Sequence, residues 1–195
     1  TKVDFSAGSS YEAAIGDIDG DGKPDIASTT WPSSVSVFRS TVTPSSDLVQ
    51  VNSGTFQMGS TTGNSNEAPV HSVTLSAFYI DKTELTYEKW TDVRNWGLTH
   101  GYSDLVAGRN GSAGTTNHPV TQINWYDILK WCNARSEKDG LTPVYYTSNT
   151  LATVYRTGQL DLIADAVRWS ANGYRLPTEA EWEFAARGGT KSQGY

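Results

Sequence analysis

The sharpest chemical pattern in the sequence is an acidic loop near its start, with aspartates at positions 1, 3, 5 and 9. Four like charges within nine residues repel one another unless a cation neutralises them, and carboxylate oxygens at this spacing suit Ca²⁺. The residue at position 7 would add its backbone carbonyl, and glycines between the acids permit a tight wrap. We therefore predict one calcium site. Its ligands are Asp17, Asp19, Asp21, Asp25 and the carbonyl of Lys23.

The sequence around the loop argues against an EF-hand. An EF-hand loop carries Glu at position 12 and lies between two helices. Position 12 here is Ser28, and the flanking runs at 13–15 and 26–28 read as strands. We interpret the segment as a calcium loop between strands. The alternative is a solvated acidic turn without metal, which the match to the ligand spacing disfavours.

Composition narrows the classes of function. The chain has 195 residues, enough for one large domain or for one domain with an appendage. Lys and Arg number 15 against 21 Asp and Glu, and the resulting charge of −6 and pI of about 5.0 argue against a nucleic-acid-binding domain, which needs a basic face. No apolar run is long enough to span a membrane. A single cysteine excludes an internal disulfide and a cysteine-built zinc site.

Changes in composition divide the chain into two parts. Residues 1–40 carry the acidic loop and a run at 34–38 that alternates polar and apolar side chains, as a half-buried strand does. A stretch rich in Thr, Pro and Ser follows, and we place a linker at 41–47. Residues 48–195 form the main domain.

The main domain is predicted to be α+β, with few long elements and much irregular chain. Alternating polar and apolar residues predict strands at 48–51, 55–58 and 70–80, with shorter ones at 144–146 and 154–156. Capping residues and helical spacing predict three helices, from Thr86 to Trp96, from Trp125 to Lys138 and from Thr178 to Arg187. The third begins with a capping box, in which the Thr178 hydroxyl and the Glu181 carboxylate satisfy each other's backbone amides.

The N-terminal part resembles an FG-GAP repeat, the calcium-binding blade element of integrin-like β-propellers. The resemblance covers residues 5–39 and depends on Asp17, Asp19, Asp21, Gly22 and Asp25. It implies a structural calcium ion in the loop that joins two blade strands. Because one unit cannot hide its own sheet edges, we expect a blade fragment, either with other blades upstream in a longer parent or as a vestigial element.

The main domain resembles the sulfatase-modifying-factor family, the formylglycine-generating-enzyme domain. The motifs that carry the resemblance occur in the family's order at 54–60, 67–71, 78–86, 118–120, 125–127, 140–145 and 173–183. The last of them reads Gly-Tyr-Arg-Leu-Pro-Thr-Glu-Ala-Glu-Trp-Glu. The resemblance covers residues 48–189 and implies a C-type-lectin-like α+β fold.

This resemblance implies an oxidation that uses oxygen and copper. Enzymes of the family convert a cysteine of a sulfatase to formylglycine, and a pair of cysteines late in the domain carries the metal, since Cu(I) prefers thiolates. This chain has one cysteine, so no catalytic or cofactor-binding residue can be assigned from the family. We interpret the chain as a C-terminally truncated member that is inactive alone, with copper bound only by a full-length parent.

Two other interpretations stay open. One is a non-catalytic, C-type-lectin-like module of an exported protein that binds a carbohydrate or a protein. The other is an iron-dependent relative, for which the spacing of His71, His100 and His118 supplies no local cluster. The expected partner is a protein or peptide substrate, or a carbohydrate or protein ligand, and not nucleic acid. An extracellular or periplasmic location is expected, because extracellular calcium can fill a modest site.

Several other side chains are expected to be structural. Cys132 shares a helix face with Ile128 and Leu129, which favours a core position over a reactive thiol. Three tryptophans in helices are expected in the core, namely Trp90, Trp125 and Trp182, while Trp96 and Trp169 stay open. The acids Glu179 and Glu183 are explained by favourable charge near a helix N-terminus.

Calcium titrated calorimetrically into the protein should release binding heat, and Asp19→Ala should lower that heat because it removes one carboxylate of the predicted site. Equal heats from the two proteins would contradict the calcium site.

Overall fold

A computed structural model describes the backbone of residues 13–16, 25–30 and 34–38 and the whole of residues 47–111 and 115–189. The chain divides into two compact units, residues 1–46 and residues 47–195. None of the helices found in the described ranges has the length and apolar character needed to cross a membrane.

The first unit contains a three-stranded antiparallel sheet. Its strands, in the order β1-β2-β3, are β1 (Ala13–Gly16), β2 (Asp25–Thr30) and β3 (Ser34–Phe38). These strands confirm the strand positions predicted on either side of the acidic loop. The propeller blade and the linker at 41–47 stay predictions.

The second unit begins with a two-stranded antiparallel ribbon that is interrupted once. Its strands are β4 (Leu48–Val51), β5 (Gly54–Met58), β6 (His71–Leu75) and β7 (Phe78–Asp81). β4 pairs with β7 and β5 pairs with β6. Val51 lies opposite Phe78 and Gly54 opposite Leu75, so the same register continues across the interruption.

This interruption corrects the single strand predicted at 70–80, which is two strands. The residues that separate them are Ser76 and Ala77, and they face Asn52 and Ser53 across the ribbon. Small and polar residues of this kind have low β-propensity, so the ladder opens locally without a change of register.

Three helices follow, and their positions confirm the prediction from capping residues. They are α1 (Tyr87–Leu98), α2 (Trp125–Lys138) and α3 (Glu179–Ala186). The Thr86 hydroxyl accepts from the Lys89 amide at the start of α1, and the predicted capping box of Thr178 and Glu181 begins α3. Gly140 follows α2 with a φ of 72°, the left-handed conformation that glycine adopts without steric cost.

The core lies between α1 and α2. Trp90 of α1 stacks on Trp131 of α2, with ring centroids 5.8 Å apart and planes inclined by 6°. Each indole N–H is satisfied, since Trp131 Nε1 donates to the Trp90 carbonyl and Trp90 Nε1 donates to the Val106 carbonyl. Gly97 at the end of α1 lets the chain that follows the helix pack back against it, because a Cβ there would lie 3.3 Å from the Cβ of Tyr102.

A buried amide on α2 holds the irregular chain that follows. The Asn133 side chain is fully buried, and its Nδ2 donates to the carbonyls of Tyr145 at 2.7 Å and Tyr155 at 3.0 Å. Its Oδ1 accepts from the amides of Val144 at 3.1 Å and Tyr145 at 3.0 Å. These four bonds occupy the whole capacity of the amide. The segments predicted as strands at 144–146 and 154–156 form only isolated bridges, and Asn133 supplies hydrogen bonds that a sheet would otherwise provide.

A second close contact joins α2 to the segment before α3. The Ser136 hydroxyl donates to the Cys132 carbonyl at 2.7 Å and accepts from the Tyr174 amide at 2.8 Å. A Cβ at Gly173 would lie 2.6 Å from the Ser136 hydroxyl and 2.2 Å from the Thr142 carbonyl. Glycine is therefore required at 173 for the chain to pass this close to α2.

Asn133→Ala should lower the free energy of unfolding by about 3–5 kcal/mol, because it leaves buried backbone groups without partners. Urea denaturation measures the change. Asn95→Ala, an exposed position on α1, is the matched control and should change stability by less than about 0.5 kcal/mol. A loss below about 1 kcal/mol for Asn133→Ala would contradict the role assigned to this amide.

Candidate functional site

The predicted calcium ligands lie almost entirely outside the described residues. Asp25 is the first residue of β2, while Asp17, Asp19, Asp21 and Lys23 fall in ranges that the structure does not describe. The calcium site therefore stays a prediction. In the described part of the chain, no group of three or more His, Cys, Asp or Glu side chains could hold a metal ion.

Cys132 has the surroundings of a core residue. Its side chain is 6% exposed and faces the core from α2, which confirms the predicted burial. Burial raises the pKa of the thiol from an ordinary value of 9.0 to about 12, while Arg135 lowers it and Asp81 raises it to smaller extents. The thiolate is the nucleophilic and metal-binding form, so this thiol is poorly suited to either task.

A polar cluster beside Cys132 ties α2 to the ribbon and to the segment before α3. Arg135 Nη1 donates to Asp81 Oδ2 at 2.8 Å, and the guanidinium lies 3.8 Å from the ring centroid of Tyr174. The Tyr174 hydroxyl donates to Asp139 at 2.8 Å, and burial and this bond raise its pKa to about 12. Every charged group of this cluster has a partner, which is typical of a structural network.

The motif at 173–183 is also engaged in structural contacts. Arg175 makes a bidentate pair with Glu181, with nitrogen–oxygen distances of 2.7 and 2.6 Å. Glu181 Oε2 also accepts from the Thr178 amide at 2.8 Å. Burial would raise the pKa of Glu181, but the hydrogen bonds from Arg175 and Thr178 outweigh it and the pKa is lowered. The Leu176 amide donates to the Tyr145 hydroxyl, which joins the motif to the core.

Glu183 has a role that the sequence did not indicate. Its Oε1 accepts from the Gly59 amide at 2.9 Å and pairs with Arg187 at 2.5 Å. Arg187 in turn donates to the carbonyls of Gln57 and Gly59. These contacts fasten α3 to β5, so favourable charge at the helix N-terminus is not the main explanation for Glu183. No local pattern could have revealed a contact across more than 120 residues of chain.

The tryptophans depart most from the expectations. Trp90 is buried as predicted, but Trp125 is 47% exposed and Trp182 is 61% exposed, so the core assignment of these two was wrong. Trp182 lies on the side of α3 opposite to Phe184, which packs against Phe56 of the ribbon at 5.0 Å. Trp169, which the sequence left open, is 58% exposed.

Trp125 and Tyr126 form an exposed aromatic pair at the start of α2. Its ring meets Tyr126 edge to face at 5.5 Å, and the Tyr126 hydroxyl donates to Asp161 Oδ1 at 2.6 Å. The segment around Asp161 is fixed, because the Gly158 amide donates to Asp104 and the Leu160 amide to the Tyr155 hydroxyl. Leu160 and Ile163 are exposed beside it along the chain.

Taken together, the described residues of the second unit form a packed, hydrogen-bonded scaffold with exposed aromatic side chains. The described thiol is buried, and the nearby carboxylate of Asp81 is paired with Lys89 and Arg135. Such an arrangement can bind a partner through tryptophan, whose large apolar ring favours interfaces. The described thiol is not an activated nucleophile, because its burial raises its pKa.

The chain is similar to one domain family and to several known proteins. The sulfatase-modifying factor enzyme 1-like domain matches residues 34–195. The chaperone protein LppX of Paenibacillus barcinonensis is 39% identical over 159 residues, which cover 78% of this chain and 49% of LppX. The formylglycine-generating enzyme of Mycobacterium tuberculosis is 31% identical over 160 residues, which cover 74% of this chain and 52% of the enzyme.

A solved structure shares the fold. The crystal structure of CarF superposes with a TM-score of 0.63 at 33% identity and covers 75% of this chain and 57% of CarF. The chain therefore spans about half the length of the curated relatives that it matches.

A thiol reagent should label Cys132 slowly in native buffer and fully in denaturant. A pKa of about 12 leaves about a thousandfold less thiolate near neutral pH than the ordinary value of 9.0 does. The control is the double variant Cys132→Ser/Ser170→Cys, which places one thiol at an exposed position and should react fast. Native labelling of the natural chain at the control's rate would contradict the burial of Cys132.

Proposed function

Because this chain belongs to the sulfatase-modifying factor family, we propose that its full-length parent oxidises a protein cysteine to formylglycine with oxygen and copper. The observation that supports this most is the match of residues 34–195 to the family domain, together with a relative named formylglycine-generating enzyme. The C-type-lectin-like fold that the motifs implied is part of the same proposal. The described fold, a mixture of α and β elements, is compatible with it.

The described residues of this chain do not fit the copper ion of that reaction. Cu(I) prefers thiolate ligands, and Cys132 is buried with its pKa raised to about 12. The ranges that the structure describes also contain no cluster of three metal-ligating side chains. We therefore assign no step of the oxidation to these residues.

Within that proposal, the described residues form the framework of the domain. The Arg175–Glu181 pair and the polar cluster of Asp81, Arg135 and Tyr174 fix α3 and the ribbon relative to α2. A framework of this kind positions a catalytic or binding surface without touching the reacting atoms. We expect the chain alone to be inactive as an oxidase.

A second candidate function is a non-catalytic module that binds another protein or a carbohydrate. Two observations favour it: LppX is named a chaperone, and three tryptophans are exposed on the scaffold. Trp125, Trp169 and Trp182 are of the residue type most enriched at interface hot spots.

For the first unit we keep the calcium-binding FG-GAP element and an exported location as part of the proposal.

The two functions are separated by an assay for the aldehyde. The purified chain is incubated with a cysteine-containing peptide of the sulfatase type, copper and oxygen, and the peptide is examined by mass spectrometry. We expect no aldehyde from the chain alone, because one buried thiol cannot both hold copper and engage a substrate cysteine. The full-length parent should form the aldehyde, and failure there would favour the binding module.

Cys132→Ser is the control for this assay. It should leave the result for the chain alone unchanged. Robust turnover by the chain that Cys132→Ser abolishes would overturn both the inactivity of the chain and the structural role of Cys132.

A further inference from the structure

We propose that Asn110 is a site of spontaneous deamidation, at which the folded chain converts its own side-chain amide to aspartate and isoaspartate. The only reactant besides the protein is water. The inference goes beyond the proposed function and holds for both of its candidates, because it involves neither copper nor a binding partner.

The sequence contains the dipeptide Asn-Gly twice, at Asn110-Gly111 and at Asn172-Gly173. In this dipeptide the backbone nitrogen of the glycine can attack the side-chain carbonyl of the asparagine, since glycine has no Cβ to obstruct the approach. The dipeptide alone therefore gives the two sites equal reactivity. The structure separates them, because closure of the succinimide ring requires the asparagine side chain and the following peptide unit to rotate towards each other.

The dipeptide Asn172-Gly173 is held on both sides of the bond that would have to rotate. Asn172 Oδ1 accepts from the Thr142 amide at 2.9 Å. A Cβ at Gly173 would lie 2.2 Å from the Thr142 carbonyl oxygen, and the next amide, that of Tyr174, donates to the Ser136 hydroxyl at 2.8 Å. Ring closure would break these contacts, so we expect Asn172 to be protected although it is exposed.

The dipeptide Asn110-Gly111 is fixed on the side of Arg109. That residue exchanges two backbone hydrogen bonds with Thr121, with nitrogen–oxygen distances of 2.7 and 2.8 Å. Among the residues that the structure describes, neither the Asn110 side chain nor the Gly111 amide has a hydrogen-bond partner. The carbonyl carbon and the attacking nitrogen can therefore approach each other without the loss of any described hydrogen bond.

The reaction is a displacement within the chain followed by hydrolysis. The Gly111 nitrogen forms a bond to Cγ of Asn110, the Cγ–Nδ2 bond breaks, and Nδ2 leaves as ammonia with the proton that the Gly111 amide gives up. Water then opens the succinimide. Opening at Cγ gives aspartate and opening at the backbone carbonyl gives isoaspartate, so neither an oxidant nor a reductant is needed.

The modified residue lies in a loop that supports the start of α1. The carbonyls of Thr116 and His118 accept from the amides of Glu88 and Tyr87, which are amides of the first helical turn that the helix itself cannot satisfy. Both products add a negative charge, and isoaspartate also lengthens the main chain of the loop by a methylene group. We expect the isoaspartyl form to disturb these two hydrogen bonds more than the aspartyl form does.

The experiment follows the full chain during incubation at physiological temperature and mildly alkaline pH. Its proteolytic peptides are analysed by mass spectrometry, since deamidation adds about 1 Da and electron-transfer fragmentation distinguishes isoaspartate from aspartate. Asn172 is the matched reference within the same molecule. A parallel sample in urea lacks the fold, and circular dichroism checks that the first sample retains it.

We expect Asn110 to convert at least about tenfold faster than Asn172 in the folded chain, and the two to convert at similar rates in urea. Isoaspartate should be among the products at Asn110, because direct hydrolysis of the side chain gives aspartate only. Equal rates at the two sites in the folded chain would overturn the proposal. So would an Asn110 that stays unmodified in the folded chain and converts in urea.

Gly111→Ala tests the attacking nitrogen. The backbone at Gly111 is not left-handed, and the nearest atom to a Cβ there is Nδ1 of His118 at 3.2 Å, so a small movement of the imidazole accommodates alanine. The variant should slow conversion of Asn110 by about tenfold or more and leave Asn172 unchanged, because the added Cβ obstructs ring closure. An unchanged rate at Asn110 would contradict ring closure through the Gly111 amide and overturn the proposal.

Discussion

The amide of Asn133 is the interaction on which the second unit most depends. Without it, the amides of Val144 and Tyr145 and the carbonyl of Tyr155 would lose the hydrogen bonds that Asn133 gives them, because the chain at 144–155 forms only isolated bridges. A sheet satisfies its backbone by repetition, whereas irregular chain needs an individual partner at each point. One rigid side chain on α2 supplies that here. The long irregular segments of this fold are therefore ordered by buried polar side chains rather than by regular ladders.

The residues of the motif at 173–183 are also engaged in contacts that hold the fold together. Arg175 and Glu181 hold each other, Thr178 caps α3, and the Leu176 amide reaches the Tyr145 hydroxyl. Glycine at 173 is required by the contact with Ser136. These residues are occupied in building the domain, so the presence of the motif indicates the fold. It indicates no particular chemistry, and a protein named a chaperone and a protein named an enzyme can both match this chain.

The features that the sequence predicted well are those decided by neighbouring residues. The helix starts follow from Thr86 and Thr178, whose hydroxyls cap amides three residues later, and Gly140 follows from its left-handed backbone. The burial of Cys132 followed from its helix face. Properties set by distant contacts could not be predicted in this way. Trp182 is exposed because Glu183 and Arg187 bind β5 and fix the rotation of α3, and Asn133 shows no pattern at all before its partners are known.

Because some tryptophans lie in the core and others on the surface, the intrinsic fluorescence of the protein reports on both. Indole emission shifts to longer wavelength when the ring is in water, and a quencher dissolved in the solvent reaches only the rings that water reaches. The stacked pair of Trp90 and Trp131 should therefore emit at shorter wavelength and be shielded from quenching, while Trp169 and Trp182 emit at longer wavelength and are quenched. Quenching by a dissolved quencher can therefore follow the shielded interior rings and the accessible surface rings separately, and no dye has to be attached.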